Sequence, residues 1–120
     1  MSSHEARIDR LLADIGEAIS RIRDYTSGMD APRFLTTHIV QDAVLWNLSV
    51  IGEASGMILR QAPSFAAEND PEIWRVAYNM RNRILHGYAS INLGVVWRVT
   101  VEDLPALATR VTDLLKTRGH

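Results

Sequence analysis

The most informative absence from this sequence is cysteine, because none of its 120 residues is one. The chain therefore has no disulfide, no thiolate nucleophile and no cysteine-based zinc site, a composition that suits a reducing cytoplasm. Long apolar runs are missing too: the longest stretch without Lys, Arg, Asp or Glu, 84–97, has 14 residues. A membrane-spanning helix needs roughly 20, and residues 1–10 are charged where a signal peptide is apolar. We therefore expect a cytoplasmic protein without a membrane-spanning helix.

An excess of charge of either sign is also missing, since 13 Lys and Arg residues face 14 Asp and Glu residues, for a net charge of −1. Proteins that coat long nucleic acids carry a basic excess, so the total argues against that class. The distribution is uneven, however, because residues 73–101 contain four arginines and no acidic residue. Arginine donates two hydrogen bonds from a planar fork to phosphate oxygens. The arginine-rich segment is therefore a candidate phosphate-binding region, formed by Arg75, Arg81, Arg83 and Arg98.

What the sequence does contain is helical periodicity along its whole length, with apolar residues recurring every three or four positions. Its length is typical of a single domain. The pattern predicts one all-α domain over 1–120, a four- to five-helix up-and-down bundle. Residues 61–70 are predicted to form a loop, and Asp70 to cap the helix that follows. The first predicted helix ends near 25–28, and the second runs from 33 or 36 to 61. The third runs from 71 to 86, a short fourth helix lies around 92–101, and the last is opened by Asp103 and Pro105.

The predicted helix that ends at Gln61 is apolar around most of its circumference. A helix of this kind is buried on more than one side, so one side is expected to contact a partner subunit. Gly52 and Gly56 lie four residues apart and permit close approach of another backbone. Three tryptophans, Trp46, Trp74 and Trp97, are expected in the core or at this interface. The first apolar face comprises Val40, Val44, Leu48, Ile51, Ser55 and Ile58, and the second band comprises Ile39, Ala43, Trp46, Val50 and Met57.

One segment, 81–88, combines chemically capable side chains at the end of a predicted helix: Arg-Asn-Arg-Ile-Leu-His-Gly-Tyr. Histidine moves protons near neutral pH, and arginine stabilises charge on phosphate. Arg81 and His86 would thus suffice for RNA cleavage without a metal, through attack of a ribose 2′-OH on the adjacent phosphate. On an unbroken helix the two would lie about 140° apart. Such a site requires that the helix ends at His86, or that the site is shared between helices or subunits.

The same residues admit a purely structural interpretation. Arg81 and Arg83 would pair with surface acids, and His86 would cap a helix C-terminus, where the dipole favours a cation. The remaining histidines show no metal-ligand spacing with any carboxylate, so we expect neither a metal nor a cofactor. His38 is expected to be structural or exposed, and His4 and His120 to be solvated.

Residues 81–88 fit the pattern Arg-x4-His-x-Tyr, and in this motif the chain resembles the HepT-like branch of the HEPN superfamily. The resemblance extends to 42–55, 71–88 and 91–107, in order and without large gaps, and so covers most of the chain. It implies an α-helical bundle that forms a homodimer, with two copies of the motif facing a shared cleft.

The resemblance also implies a function. The chain would be the toxin of a toxin–antitoxin pair, a metal-independent RNase with Arg81 and His86 as its catalytic residues. The antitoxin would be a small nucleotidyltransferase of the MntA type that neutralises the toxin by transferring AMP to Tyr88. Around this centre, Arg83 and Arg75 are candidates for binding RNA phosphates. Asn47 and Glu53 match family positions on the second predicted helix and are candidates for supporting the catalytic side chains.

Two other classes of function remain open from the sequence. The chain could be a noncatalytic nucleotide-binding subunit paired with a nucleotidyltransferase, in which Arg81 and His86 hold a nucleotide phosphate. It could also be a dimerisation module whose motif contributes only to stability. Cleavage of single-stranded RNA by the protein without its partner separates the RNase interpretation from both of these.

Overall fold

The computed structural model describes residues 3–87 and 90–120, and all regular structure within these ranges is helical. None of the helices in the described ranges is long and apolar enough to cross a membrane. Four long helical stretches carry the fold, and short helices connect them. In chain order the elements are α1 (Ser3–Thr26), α2 (Ala31–Leu35), α3 (His38–Gln61), α4 (Pro63–Glu68), α5 (Pro71–His86), α6 (Leu93–Arg98), a π-helical segment (Val99–Asp103) and α7 (Leu104–Thr117).

Helix α3 lies at the centre of the bundle and packs against both α1 and α5, while α7 packs against α1. The first apolar face of α3 is buried as predicted, apart from Val40, which is half-buried. Each long helix contributes one apolar stripe, which is the pattern of a single core. The fully buried or nearly buried residues of this core include Leu12, Ile15, Ile19, Ile22, Val44, Leu48, Ile51, Ile58, Trp74, Ile84, Leu107 and Val111.

The predicted loop over 61–70 is wrong, because Pro63–Glu68 form α4. A proline at the start of a helix has its φ angle already set and loses no hydrogen bond there. Helix α4 is fixed by Phe65, whose ring lies 6.4 Å from that of Trp74. Similarly, α2 begins after Asp30, whose side chain accepts a hydrogen bond from the backbone N–H of Arg33. One turn of helix leaves no periodicity to detect, so the sequence pattern identified neither α4 nor α2 as a separate helix.

The start of α5 is predicted correctly, but the prediction that the Asp70 side chain caps this helix is wrong. Helix α5 does begin at Pro71, but Asp70 has a left-handed backbone, with φ of 63°, and its side chain makes no capping hydrogen bond. Its carboxylate instead lies 3.8 Å from the guanidinium of Arg110 on α7. Asp70 therefore links two helices that are distant in sequence.

The last two predicted helices form one continuous helical stretch rather than separate elements. The π-helical segment joins α6 to α7, and within it the N–H of Leu104 donates to the carbonyl of Val99. Pro105 explains the wider turn, because a proline ring inside an α-helix collides with the carbonyl four residues earlier, here that of Val101. Asp103, predicted to open a new helix, makes no side-chain capping hydrogen bond.

Arg118 joins the end of α7 to α1. Its Nε donates to Oδ1 of Asp9 at 2.5 Å, its Nη2 donates to Oε2 of Glu5 at 2.5 Å, and its guanidinium lies 5.3 Å from the centre of the Phe65 ring. The hydrogen bond from Arg118 lowers the pKa of Asp9; burial opposes this effect, and His120 adds to it. Nε2 of His120 lies 3.0 Å from Oδ2 of Asp9. The expectation that His120 is merely solvated is therefore wrong.

Candidate active site

Helix α5 carries the candidate catalytic residues in its C-terminal half and ends at His86, as the sequence predicts. The N–H of Gly87 still donates to the carbonyl of Arg83, at 3.0 Å, so the helical hydrogen bonds continue to the last turn. Because the helix is unbroken, Arg81 and His86 project about 140° apart around its axis. The two side chains accordingly line separate cavities. A single chain does not bring them together.

Arg81 is held against α3 by an ion pair and by a close approach of the two helices. Its Nη2 lies 2.9 Å from Oε2 of Glu53, and its Nη1 donates to Oδ1 of Asn82 at 3.0 Å. The Arg81 side chain remains 26% exposed. A Cβ atom added at Gly52 would collide with the Cβ of Arg81 and lie 2.7 Å from the carbonyl oxygen of Ala77. The sequence predicts a close approach at Gly52 but does not predict that Arg81 is the residue in contact there.

Of the two residues predicted to support the catalytic side chains, the structure brings Glu53 to Arg81 but does not bring Asn47 there. Asn47 is buried, and its Nδ2 donates to the carbonyl of Ala43 within the same helix, at 2.9 Å. It lines a small cavity between α1 and α3 that also includes Arg21. Within one chain, Asn47 therefore packs between helices and does not support Arg81.

His86 and Arg83 lie on the other side of α5, both exposed, at the edge of a cavity of about 440 Å³ between the end of α5 and the start of α6. Arg75 lies on the same face of α5 as His86 but about 16 Å further back along the axis. It forms an exposed ion pair with Glu72, at 3.5 Å. Tyr88, the predicted AMP acceptor, lies outside the described residues.

An exposed apolar surface borders Arg81. Trp46 of α3 is 69% exposed, and Leu85 of α5 is exposed beside it. With Val50, Met57 and Arg81 these residues line an open groove of about 380 Å³. In the second apolar band of α3, Ile39 and Trp46 are exposed and the other three residues are half-buried, so this side of α3 is available for the predicted contact with a partner subunit.

The other two tryptophans lie in the bundle. Trp74 is fully buried, and its Nε1 donates to the carbonyl of Asn69 at 3.0 Å. Trp97 is half-buried, with its ring 5.2 Å from that of Phe34. In the described part of the chain, no group of three or more His, Asp or Glu residues is arranged to hold a metal ion.

Comparisons with known proteins identify the family of this chain. A family model described as ribonuclease HepT-like matches residues 15–114. A relative from Thermococcus cleftensis, named Probable ribonuclease HepT, is 35% identical over 106 residues, which are 88% of this chain and 93% of the relative. A crystal structure of a toxin–antitoxin with AMP-PNP has the same fold, with a TM-score of 0.71 at 23% identity, covering 93% of this chain and 98% of that chain. The chain therefore belongs to the HepT-like ribonuclease family.

Proposed function

We propose that this protein is the toxin of a toxin–antitoxin pair and that it cleaves RNA without a metal ion. Family membership supports the RNase assignment, and the structure with the same fold is that of a toxin–antitoxin. One observation carries the chemistry: Arg81 and His86, a charge-stabilising group and a proton-transferring group, both reach solvent at the same end of α5.

In the proposed reaction, the 2′-OH of a ribose attacks the adjacent phosphorus while His86 accepts its proton. Arg81 stabilises the negative charge that develops on the pentacovalent phosphorus. The bond from phosphorus to the 5′-oxygen then breaks, and the imidazolium returns a proton to that oxygen. The products are a 2′,3′-cyclic phosphate and a 5′-hydroxyl end.

We place this reaction in a cleft between two copies of the chain. Arg81 and His86 of one copy line different cavities, so the two can act on one phosphate when each comes from a different copy. The surface around Trp46 and Leu85 borders Arg81 and offers apolar area that a second copy would cover. The Glu53 carboxylate holds the Arg81 guanidinium against α3, ready for that contact.

Arg83 and Arg75 extend the proposed RNA path along one face of α5. Arg83 stands beside His86 and would bind a phosphate next to the scissile one. Arg75 lies further back on the same face and would bind a phosphate more distant along the strand. A short row of this kind grips a few phosphates, which suits a chain that has no overall basic excess.

The proposed antitoxin is a nucleotidyltransferase of the MntA type that transfers AMP to Tyr88. This residue is two positions after His86, so an adenylate would place a negative phosphate and a bulky base where RNA enters. Co-expression with the partner should add the mass of one or more adenylyl groups to the wild-type chain. The Tyr88→Phe variant should stay unmodified and should continue to inhibit growth; modification of this variant would contradict the assignment.

The RNase proposal is tested with the protein purified without its partner and incubated with single-stranded RNA in excess EDTA. We expect cleavage products that end in 2′,3′-cyclic phosphate. An RNA with a single 2′-deoxy substitution at the cleaved nucleotide should resist cleavage at that position, because the attacking oxygen is missing. Nucleotide binding without any cleavage would instead support a noncatalytic subunit, and cleavage that requires a divalent metal would contradict the mechanism.

A further inference from the structure

The cavity beside His86 has the construction of a small-ligand site, with an apolar floor and a polar rim. Its volume of about 440 Å³ lies within the range of about 300–1,000 Å³ typical of such sites. An RNA base that is unstacked from its strand has two flat apolar faces and a polar edge, and proteins bind such bases in pockets of this kind. The floor is formed by Met80, Ile84, Ile91, Val95 and Val96.

The polar groups at the rim favour one type of base edge. Oδ1 of Asn82 already accepts from Arg81, and Oδ1 of Asn92 accepts from the N–H of Val95 at 3.2 Å. Each amide is therefore left with its NH₂ group, a donor, to offer a ligand. Arg83 adds guanidinium donors, and no acidic residue is among the described residues that line the cavity.

Ser90 supplies the complementary group. Its Oγ donates to the carbonyl of Gly87 at 3.0 Å, so the hydroxyl offers lone pairs to a ligand. Uracil presents two carbonyl oxygens and guanine presents one, and in each base an imino N–H lies next to a carbonyl, which matches amide donors beside a hydroxyl acceptor. Adenine presents an amino group where these bases present a carbonyl, and would place a donor against donors.

We infer that this cavity is a base-binding subsite for uracil or guanine, the keto bases, adjacent to the phosphate that is cleaved. The inference rests on the proposed RNase function, because His86 at the rim of the cavity places the bound base next to the reacting phosphate. The subsite selects where a single strand is cut, a property that Arg81 and His86 do not themselves provide.

The variant that tests the base-binding subsite most directly is Asn92→Asp. An aspartate at this position still accepts the Val95 N–H and so keeps the cap of α6, but it has no NH₂ to donate. The matched control is Gln61→Glu, which makes the same amide-to-carboxylate change at an exposed position at the end of α3, outside the cavity and off the face of α5 that carries Arg75 and Arg83. Cleavage rates are measured on short RNAs that carry each of the four bases at every position around a single cut.

We expect the wild-type protein to favour uracil or guanine over adenine at one position by about tenfold, the effect of one good base contact. Asn92→Asp should lose this preference, and Gln61→Glu should keep it. A wild-type protein without base preference, or an Asn92→Asp variant with an unchanged preference, would overturn the subsite.

Binding of nucleotides tests the subsite independently of cleavage. In a nuclear magnetic resonance titration, 3′-UMP and 3′-GMP should shift the side-chain amide signals of Asn82 and Asn92, with a Kd about tenfold lower than that of 3′-AMP. Equal binding of all three nucleotides would overturn the subsite while leaving the RNase proposal intact. Selective binding by a protein that cuts no RNA would support the subsite and overturn the RNase proposal.

Discussion

At the scale of single residues, the ion pair with Glu53 holds the Arg81 guanidinium against α3, with Nη2 of Arg81 2.9 Å from Oε2 of Glu53. The motif predicts which residues are chemically capable, because Arg81 and His86 are identified by type and spacing. The ion pair with Glu53 joins different helices, and only packing decides which residues meet there. Asn47 was a candidate for the same supporting role as Glu53, but its side chain faces the α1 side of α3.

The Glu53→Gln variant tests the role of this ion pair. The neutral amide would no longer hold the Arg81 guanidinium electrostatically, so kcat should fall about two- to fivefold, the effect of a partly exposed ion pair. KM for RNA should not rise, because removal of a negative charge beside the phosphate site favours binding. Steady-state kinetics separates the two effects.

Asp70→Asn is the matched control, because the Asp70 carboxylate also pairs with an arginine of another helix, 3.8 Å from Arg110, and does not line the groove beside Trp46. Its kinetics should equal those of the wild type. An unchanged kcat in Glu53→Gln would show that Arg81 is positioned without its carboxylate partner.

At the scale of secondary structure, the close approach of α3 and α5 determines where Arg81 stands. Gly52→Ala places a methyl group against Arg81 and the carbonyl of Ala77. Overpacking of this kind costs about 1–3 kcal/mol of unfolding free energy. We therefore expect a lower thermal midpoint together with lower RNase activity, measured by circular dichroism and by RNA cleavage.

Gly16→Ala is the internal control for a glycine-to-alanine change in a helix. A Cβ at Gly16 would meet only Cγ1 of Val111, at an ordinary 3.6 Å. Alanine is favoured over glycine inside a helix by about 0.5–1 kcal/mol, so this variant should be more stable than the wild type. Equal stabilisation by both substitutions would contradict the close approach at Gly52.

The long helices were predictable because each buries a repeating apolar stripe, whereas the short elements were not. Helix α4 buries only Ala66, and α2 only Phe34, so neither creates a period. The π-helical segment depends on how the chain accommodates Pro105 within a continuing helix, and a proline in sequence ordinarily predicts a break. Local rules therefore identify where a helix is interrupted without specifying the geometry of the interruption.

At the scale of the whole molecule, the contact of Arg118 with Asp9 joins the two ends of the described chain. The lowered pKa of Asp9 means that its ionised form stabilises the folded state. This contribution is complete above the ordinary pKa of 3.8 and is lost as pH falls below that value toward the folded-state pKa.

Asp9→Asn should therefore lower the unfolding free energy at pH 7 by about 2 kcal/mol, the contribution of hydrogen bonds to a charged group. The difference from wild type should be smaller at about pH 3, below the ordinary pKa of 3.8, because the unfolded chain there gains a proton that the folded carboxylate resists. Urea unfolding at both pH values measures the change, with Asp14→Asn on the same helix as the control for loss of a carboxylate. A difference that grows in acid would contradict the pKa direction.

The exposed apolar surface beside Arg81 is where we expect two copies of the chain to associate. Trp46→Glu places a charge in an area that a second copy would cover, so the variant should be monomeric and should lose RNA cleavage while retaining its helical content. Light scattering and circular dichroism provide the two readouts. A Trp46→Glu protein that remains dimeric and active would place the interface elsewhere.

The central claim is that Arg81 and His86, supplied by different copies of the chain, cleave RNA together. It is tested most directly by measuring RNA cleavage, with EDTA present, for Arg81→Ala and His86→Ala. Each variant is measured alone and after the two are mixed, unfolded and refolded together. Arg23→Ala, at an exposed position on the α7 side of α1, is the charge control. Each variant alone should be inactive, and the mixture should recover about a quarter of the wild-type rate. This fraction follows because half of randomly formed symmetric dimers are mixed, and each mixed dimer has one complete site of two. Wild-type cleavage by either single variant would contradict the catalytic assignment, and a mixture without activity would contradict the shared site.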